Sequence, residues 1–481
     1  MSNLTLALLS GVLGAVVLSF TDRVRSGIRN TLTLAFALSG AWFTWQVALA
    51  VMAGESVGLT MRLGGLTWSL RADPLGVVFG LIVSSLWVLA TVYSFGYMNG
   101  EPRQRTYYTF FLLSFAVTLG VAFSGNLLTL YLCYELLTFA TYPLVIHQRD
   151  EEAVKAGSKY IIYSLSGAGA ILVAMVVTYL LAGSLEFTGR PLLAAVGSRR
   201  GLGWLLALFV AGFGVKAALM PLHRWLPAAM VAPTPVSALL HAVAVVNSGV
   251  FGLLRVIYSI FGPELVSQLA LGRWLPWIAA FTILAGSVIA LRQDVLKRRL
   301  AYSTISQLSY ILMGAFILHP WALAGALIHM VSHSLLKMAL FFGAGIVAKG
   351  TGRVNVSQMP GVGWQFPLTF GAFGVACLGM IGMLPLNAFW GKYYLMKGGI
   401  ASGSWPLALV LIVSGLLNAC YFVPIVVSAF SGEASGRKLE RGGQVVWMLA
   451  PTLGLVVGAL VMGVAPGIVW PAITAIVDAF F

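Results

Sequence analysis

ALIHMVSHSLLKMALFFGAG, residues 326–345, sets His329, His333 and Lys337 four residues apart within an otherwise apolar run. That spacing puts the three side chains along one face of a helix. Ionisable groups inside a run this apolar point to a membrane interior, where such residues mark ion pathways.

The rest of the chain agrees. Its 481 residues are 59% hydrophobic and 9% charged, whereas a soluble domain carries about 25% charge. A water-exposed surface cannot be built from this composition. A membrane helix needs about 20 mostly apolar residues. About fourteen such stretches follow one another, centred near residues 11, 42, 85, 115, 136, 170, 210, 247, 281, 310, 334, 376, 417 and 460. Barrel strands would alternate over about ten residues, so the expected fold is an all-α polytopic membrane protein. The first stretch has no basic start and no clear small-residue cleavage site, and it reads as a retained span. Cys133, Cys377 and Cys420 sit inside apolar runs without metal-ligand spacing and read as packing residues.

Lysine and arginine are divided unevenly between alternate loops. One side takes Arg23, Arg25, Arg29, Arg103, Arg105, Arg149, Lys155, Lys159, Arg224, Arg292, Lys297, Arg298, Arg299, Lys349, Arg353, Arg437, Lys438 and Arg441. The other takes Arg62, Arg71, Arg190, Arg199, Arg200, Arg255, Arg273 and Lys397. The richer side is cytoplasmic by the positive-inside rule, which puts both termini outside. No basic run exceeds three residues, so the net charge of +15 reads as topology and no nucleic-acid partner is expected.

Three basic residues remain: Lys216, Lys337 and Lys392, each inside an apolar run. Among the acids, Glu135 in LYLCYELLTF has long apolar sequence on both sides. A charge at the bilayer centre costs about 2.5–3.5 kcal/mol. Glu135 can neutralise one lysine, which leaves two without a structural explanation. His241 lies in a further apolar run, SALLHAVAVV. Imidazole donates at one nitrogen and accepts at the other, as a proton relay requires. Two histidines at i, i+4 also suit a metal. Here the third group is a lysine, with no carboxylate or cysteine beside it, so no metal is expected.

Prolines interrupt two of these runs. Lys216 is followed by Pro221, Pro227, Pro233 and Pro235; Lys392 is preceded by Gly382 and Pro385. Proline breaks the helical hydrogen-bond ladder, and irregular backbone at membrane depth persists only inside protein or around a wet cavity. Two interrupted segments, each with a lysine, fit an inverted repeat.

The motifs then add a resemblance. GFGVKAALMPLHRWLPAAMVAPTPVSALLHAVAVVNSGVFGLLRV (212–256) is similar to the antiporter-like subunits shared by respiratory complex I, Mrp-type cation/proton antiporters and membrane-bound hydrogenases. So are WSLRADPLG (68–76), LLTLYLCYELLTFATYPLV (127–145), DVLKRRLAYSTISQLSYILMG (294–314), ALIHMVSHSLLKMALFFGAG (326–345) and LPLNAFWGKYYL (384–395). The resemblance implies fourteen transmembrane helices, with helices 4–8 and 9–13 as inverted repeats and helices 7 and 12 broken at Pro221 and Pro385. Residues 1–106 would hold helices 1–3, 107–260 the first repeat, 261–430 the second, and 431–481 helix 14. Glu135 would be the fifth-helix glutamate, Lys216 the seventh-helix lysine and His241 the eighth-helix histidine. His329, His333 and Lys337 would form the eleventh-helix motif, and Lys392 would be the twelfth-helix lysine. Many relatives have a lysine six residues after the eighth-helix histidine; this chain has Asn247, where the resemblance leaves room for a hydrated link.

The implied function is translocation of H⁺ or Na⁺ by one subunit of a multisubunit complex. The complex would lie in a bacterial or archaeal plasma membrane, beside homologous antiporter-like and small membrane subunits. The expected resting contact is Glu135 with Lys216. Its disturbance would pass a proton to His241, with Lys337 and Lys392 coupling to the outer side. The chain has no cysteine cluster, nucleotide loop or haem signature, so no cofactor and no redox centre are expected in it. A stand-alone secondary transporter and a non-conducting scaffold are the alternatives.

Overall fold

In hydrocarbon every backbone N–H and C=O must find a partner within its own segment, so the apolar runs fold as helices. The computed structural model describes residues 2–21, 25–64, 66–194, 196, 199, 201–431 and 443–481. Arg23, Arg200, Arg437, Lys438 and Arg441, used above for orientation, lie outside the described residues. Among the described residues, nine helices are long and apolar enough to cross a membrane. They are Ser26–Met52, Pro74–Tyr97, Leu127–Val145, Glu151–Ala182, Thr234–Phe261, Ala270–Leu291, Pro320–Thr351, Trp405–Phe430 and Val445–Val464. Shorter apolar helices are Asn3–Ser19, Leu202–Lys216, Pro367–Ile381 and Trp470–Phe480. Gln104–Ala122 and Leu296–Phe316 are more polar helices at two of the expected stretches.

The all-α expectation needs one correction. Val57–Leu63 and Leu66–Ala72 form an antiparallel hairpin ahead of the Pro74–Tyr97 helix. The Arg71 amide donates to the Phe123 carbonyl at 2.7 Å, which ties the hairpin to the end of Gln104–Ala122. Asp73 then caps the next helix, accepting from the Gly76 amide at 2.8 Å, with Pro74 at the first helical position.

Pro320–Thr351 is the central helix. It packs against Leu296–Phe316, Ala388–Ala401, Thr234–Ala242, Pro367–Ile381 and Gly443–Val464, and is buried almost all round. Without a hydrophobic drive between helices in lipid, close packing depends on small residues. At Gly398 an added Cβ would lie 2.3 Å from the Ala322 backbone nitrogen, so only glycine admits this contact between Ala388–Ala401 and the central helix. Large apolar side chains such as Trp204, Leu180, Phe281 and Leu416 point outward, as an apolar surrounding allows. Cys133 and Cys377 are buried, as packing residues should be, whereas Cys420 is exposed on the outer face of its helix.

The helical ladder breaks in three places near ionisable residues. Leu202–Lys216 stops at the lysine and helix resumes at Trp225–Ala228. Pro367–Ile381 stops at Gly382, whose φ is +101°, and Ala388–Ala401 follows. Met220–Pro221 and Leu384–Pro385 are cis in these two breaks. The third lies inside Thr234–Phe261, between Thr234–Ala242 and Val245–Arg255, directly after His241. The local sequence HAVAVVN holds no proline or glycine, so nothing signalled it. This helix ends in a π-helical turn, Val256–Phe261.

Arg255 also departs from its expected place. It is not a loop residue but is 1% exposed within the helix, paired with Asp73 at 2.6 and 2.7 Å. Arg29 likewise is buried on its helix, donating to Gln104 Oε1.

Candidate functional site

Lys216 is fully buried at the end of its broken helix. Its Nζ donates to the Tyr134 carbonyl and lies over the Tyr134 ring, 3.5 Å from the centroid. Glu135 is half-buried, and its Oε1 is buried without a partner. Glu135 and Lys216 do not close to an ion pair: the amine is held by the carbonyl and ring of Tyr134, while the Glu135 charge still acts on it. Pro221 and Pro385 both lie between the two parts of their interrupted helices.

His241 is buried in the last turn of Thr234–Ala242, its ring 5.1 Å from that of Phe341, with both ring nitrogens unpartnered. Asn247, beyond the break, donates from Nδ2 to the Ala242 carbonyl at 2.8 Å and to Ser334 Oγ at 3.1 Å. Ser334 neighbours His333 on the central helix, so this amide joins the two helices where the resemblance leads one to expect a lysine. His333 has both ring nitrogens unpartnered. His329 Nε2 lies 2.9 Å from Gln307 Oε1, and its ring stacks on Tyr310 at 5.3 Å.

Lys337 donates to Ser303 Oγ at 2.7 Å and lies 5.5 Å from the Phe422 ring centroid. Lys392 reaches back across its break and donates to the Met380 and Ile381 carbonyls at 2.7 and 2.8 Å. Those carbonyls close Pro367–Ile381, and the negative end of a helix dipole favours a cation there. The Lys392 amine is also 5.1 Å from the Tyr310 ring, so Tyr310 touches both His329 and Lys392.

Several polar side chains at this site escaped the sequence reading. Leu296–Phe316 buries Ser303, Thr304, Ser306, Gln307 and Ser309. A run as polar as YSTISQLSY within a membrane segment was the available signal. Asn418 and Tyr421 on Trp405–Phe430 are buried too, but as single polar residues they carried no pattern. Among the described residues no group of three or more His, Cys, Asp or Glu could hold a metal.

Comparison with known proteins places the chain in a family. Residues 124–418 match the NADH:quinone oxidoreductase/Mrp antiporter transmembrane family, and residues 61–108 match the N-terminal family of complex I chain 5. NADH-quinone oxidoreductase subunit N of Desulforudis audaxviator is 35% identical over 454 residues, 88% of this chain and 89% of the relative. Subunit L of Mycobacterium tuberculosis is 30% identical over 436 residues, 87% of this chain and 68% of the relative. Two solved structures share the fold. An archaeal membrane-bound sulfane sulfur reductase chain has a TM-score of 0.88 at 22% identity, covering 99% of this chain and 97% of its own. A chain of the Mrp complex from Dietzia superposes with a TM-score of 0.86 at 25% identity, covering 99% of this chain and 52% of its own. The chain is a multi-pass membrane protein that belongs to the NADH:quinone oxidoreductase/Mrp antiporter family.

Proposed function

We propose that this chain moves protons or Na⁺ through a multisubunit membrane complex along Glu135, Lys216, His241, His329, His333, Lys337 and Lys392. One observation carries the proposal. Lys216, Lys337 and Lys392 are buried, and among the described residues none forms an ion pair with a carboxylate. Each amine is held by carbonyls, a hydroxyl or an aromatic ring. A structural charge network would fix these charges with opposite ones, whereas neutral acceptors leave an amine free to lose and regain a proton.

The row and its link at Asn247 also carry buried polar atoms without protein partners: Glu135 Oε1, both nitrogens of His241 and His333, Asn247 Oδ1 and His329 Nδ1. Buried polar groups of native proteins are rarely left unpaired, so this density supports ordered water along the row. Asn247 then acts as a hydrated link between His241 and the central helix.

Fourteen spans follow if each interrupted helix counts as one and Trp470–Phe480 is set apart as a short C-terminal helix. The placing of Lys216 and the Lys392 amine, each at the carboxyl end of a broken helix, supports two inverted repeats at 107–260 and 261–430. The basic excess on one set of loops supports both termini lying outside, and it survives removal of the buried Arg29 and Arg255.

The test is transport by the assembled complex in proteoliposomes. Lys216→Ala and Lys392→Ala should abolish ion movement while the complex still assembles. Wild-type pumping by both variants would exclude the row as the conduit.

A further inference from the structure

Lys337 and Lys392 lie on different helices, and a continuous set of side chains runs between them. Lys337 Nζ is 2.7 Å from Ser303 Oγ, and Ser303 Oγ is 2.9 Å from the Tyr421 hydroxyl. That hydroxyl is 2.5 Å from Asn418 Oδ1. Asn418 Nδ2 donates to the Met380 carbonyl at 3.3 Å, the same oxygen that Lys392 Nζ reaches at 2.7 Å. All these side chains are buried. Ser332 and Ser334 spend their hydroxyl protons on carbonyls one turn back, whereas both contacts of Ser303 Oγ are to side chains.

We infer that Ser303, Tyr421 and Asn418 form a reversible hydrogen-bond row through which the charge on Lys337 is felt at Lys392, with the Tyr421 hydroxyl as its turning point. The inference rests on the ion-translocating reading above and deepens it. A hydroxyl has one proton, so it faces one neighbour at a time. With Lys337 charged, its N–H occupies the Ser303 oxygen, and the single Tyr421 proton turns to Asn418 Oδ1. With Lys337 neutral, its nitrogen accepts from Ser303, Tyr421 turns to donate to Ser303, and Asn418 loses the Tyr421 proton while keeping its contact with Tyr310. The amide then shifts towards Tyr310, which changes the competition with Lys392 for the Met380 carbonyl.

No proton crosses the row. The Met380 carbonyl accepts from both sides, so a hopping chain ends at Asn418. What passes is the reversal of the Lys337–Ser303 bond and the choice of acceptor for the Tyr421 proton, and Tyr421, Asn418 and Ser303 are positioning residues.

The decisive variant is Tyr421→Phe, which keeps the ring that packs against Phe422 at 4.5 Å between centroids and removes the hydroxyl alone. Ser303→Ala, a smaller change on another helix, is the second variant should Tyr421→Phe fail to assemble. Each is measured as translocation per assembled complex in proteoliposomes, beside Lys337→Ala. The expected result is normal assembly with transport slowed about tenfold, the scale of one buried hydrogen bond left unmade. The double variant should be no slower than the slower single, because both remove the same row. Wild-type transport by Tyr421→Phe, or losses that multiply in the double variant, would overturn the row. If Lys337→Ala also transports normally, the ion-conducting reading itself fails; if only the row variants do, that reading stands and the row alone is wrong.

Discussion

Asp73→Asn isolates one charge at a structural junction. Arg255 is 1% exposed and holds the Asp73 carboxylate through two hydrogen bonds of 2.6 and 2.7 Å, with the rings of Phe251 and Phe187 4.9 and 5.2 Å from its guanidinium carbon. The pair joins the start of Pro74–Tyr97 to the end of the helix that carries His241. Asparagine still caps the helix at the Gly76 amide, so the capping contribution cancels. What remains is a buried guanidinium with half its acceptors and no counter-charge. Breaking a buried pair costs about 3–5 kcal/mol. The Asp73 side chain is 25% exposed, so water relieves part of this and the lower end, about 3 kcal/mol, applies. That is roughly a hundredfold in an opening equilibrium. Buried Cys133 is a natural reporter, through its labelling by a thiol-reactive dye in the detergent-solubilised complex. Asp73→Asn should speed this labelling about a hundredfold, and Asp73→Ala should add about 1 kcal/mol for the lost cap. Adding Arg255→Met to Asp73→Asn should recover most of the loss, because the pair is then replaced rather than broken. Labelling within twofold of wild type for Asp73→Asn would refute the reasoning.

Other outcomes follow from the same geometry. Burial pushes the Asp73 carboxyl up, but the Arg255 charge and hydrogen bonds, with the Gly76 amide, outweigh it and hold the group below its ordinary value. A depressed folded value means the stabilisation is complete above the unfolded carboxylate range and is lost as pH falls through the folded one. The gap between wild type and Asp73→Asn should therefore be flat from about pH 8 to 5 and shrink below about pH 4, as labelling against pH will report. Gly398→Val should prevent assembly, seen on native gels, because its Cβ would meet the Ala322 backbone at 2.3 Å. Lys349→Ala removes the Glu101–Lys349 pair, whose side chains are about a quarter exposed, and should cost under about 1 kcal/mol in the labelling assay. Asn247→Leu removes the contact with Ser334 and the unpartnered amide oxygen; transport should fall severalfold with assembly intact.

Much of the site was legible because lipid makes ionisable residues conspicuous. Lys216, Lys337 and Lys392 stood out once loop charges were set aside, and the four-residue spacing of His329, His333 and Lys337 gave a shared face without any tertiary information. Proline marked two of the breaks. The break after His241 had no such mark, because HAVAVVN holds neither proline nor glycine. The hairpin at 57–72 was hidden by the apolar runs on either side.

The sequence by itself determined the solvent, the helical class and the short list of costly residues, since each depends only on what a residue is and what lies within a few turns of it. Tertiary structure alone decided what those residues touch. It paired Arg255 with Asp73 across 182 residues, turned Lys216 to Tyr134 instead of Glu135, and brought Tyr421 to Ser303 across 118. The reason is physical. In a bilayer, lipid tails are as apolar as the faces of neighbouring helices, so hydropathy carries no record of which faces meet; that choice is made by shape and by single hydrogen bonds between distant segments.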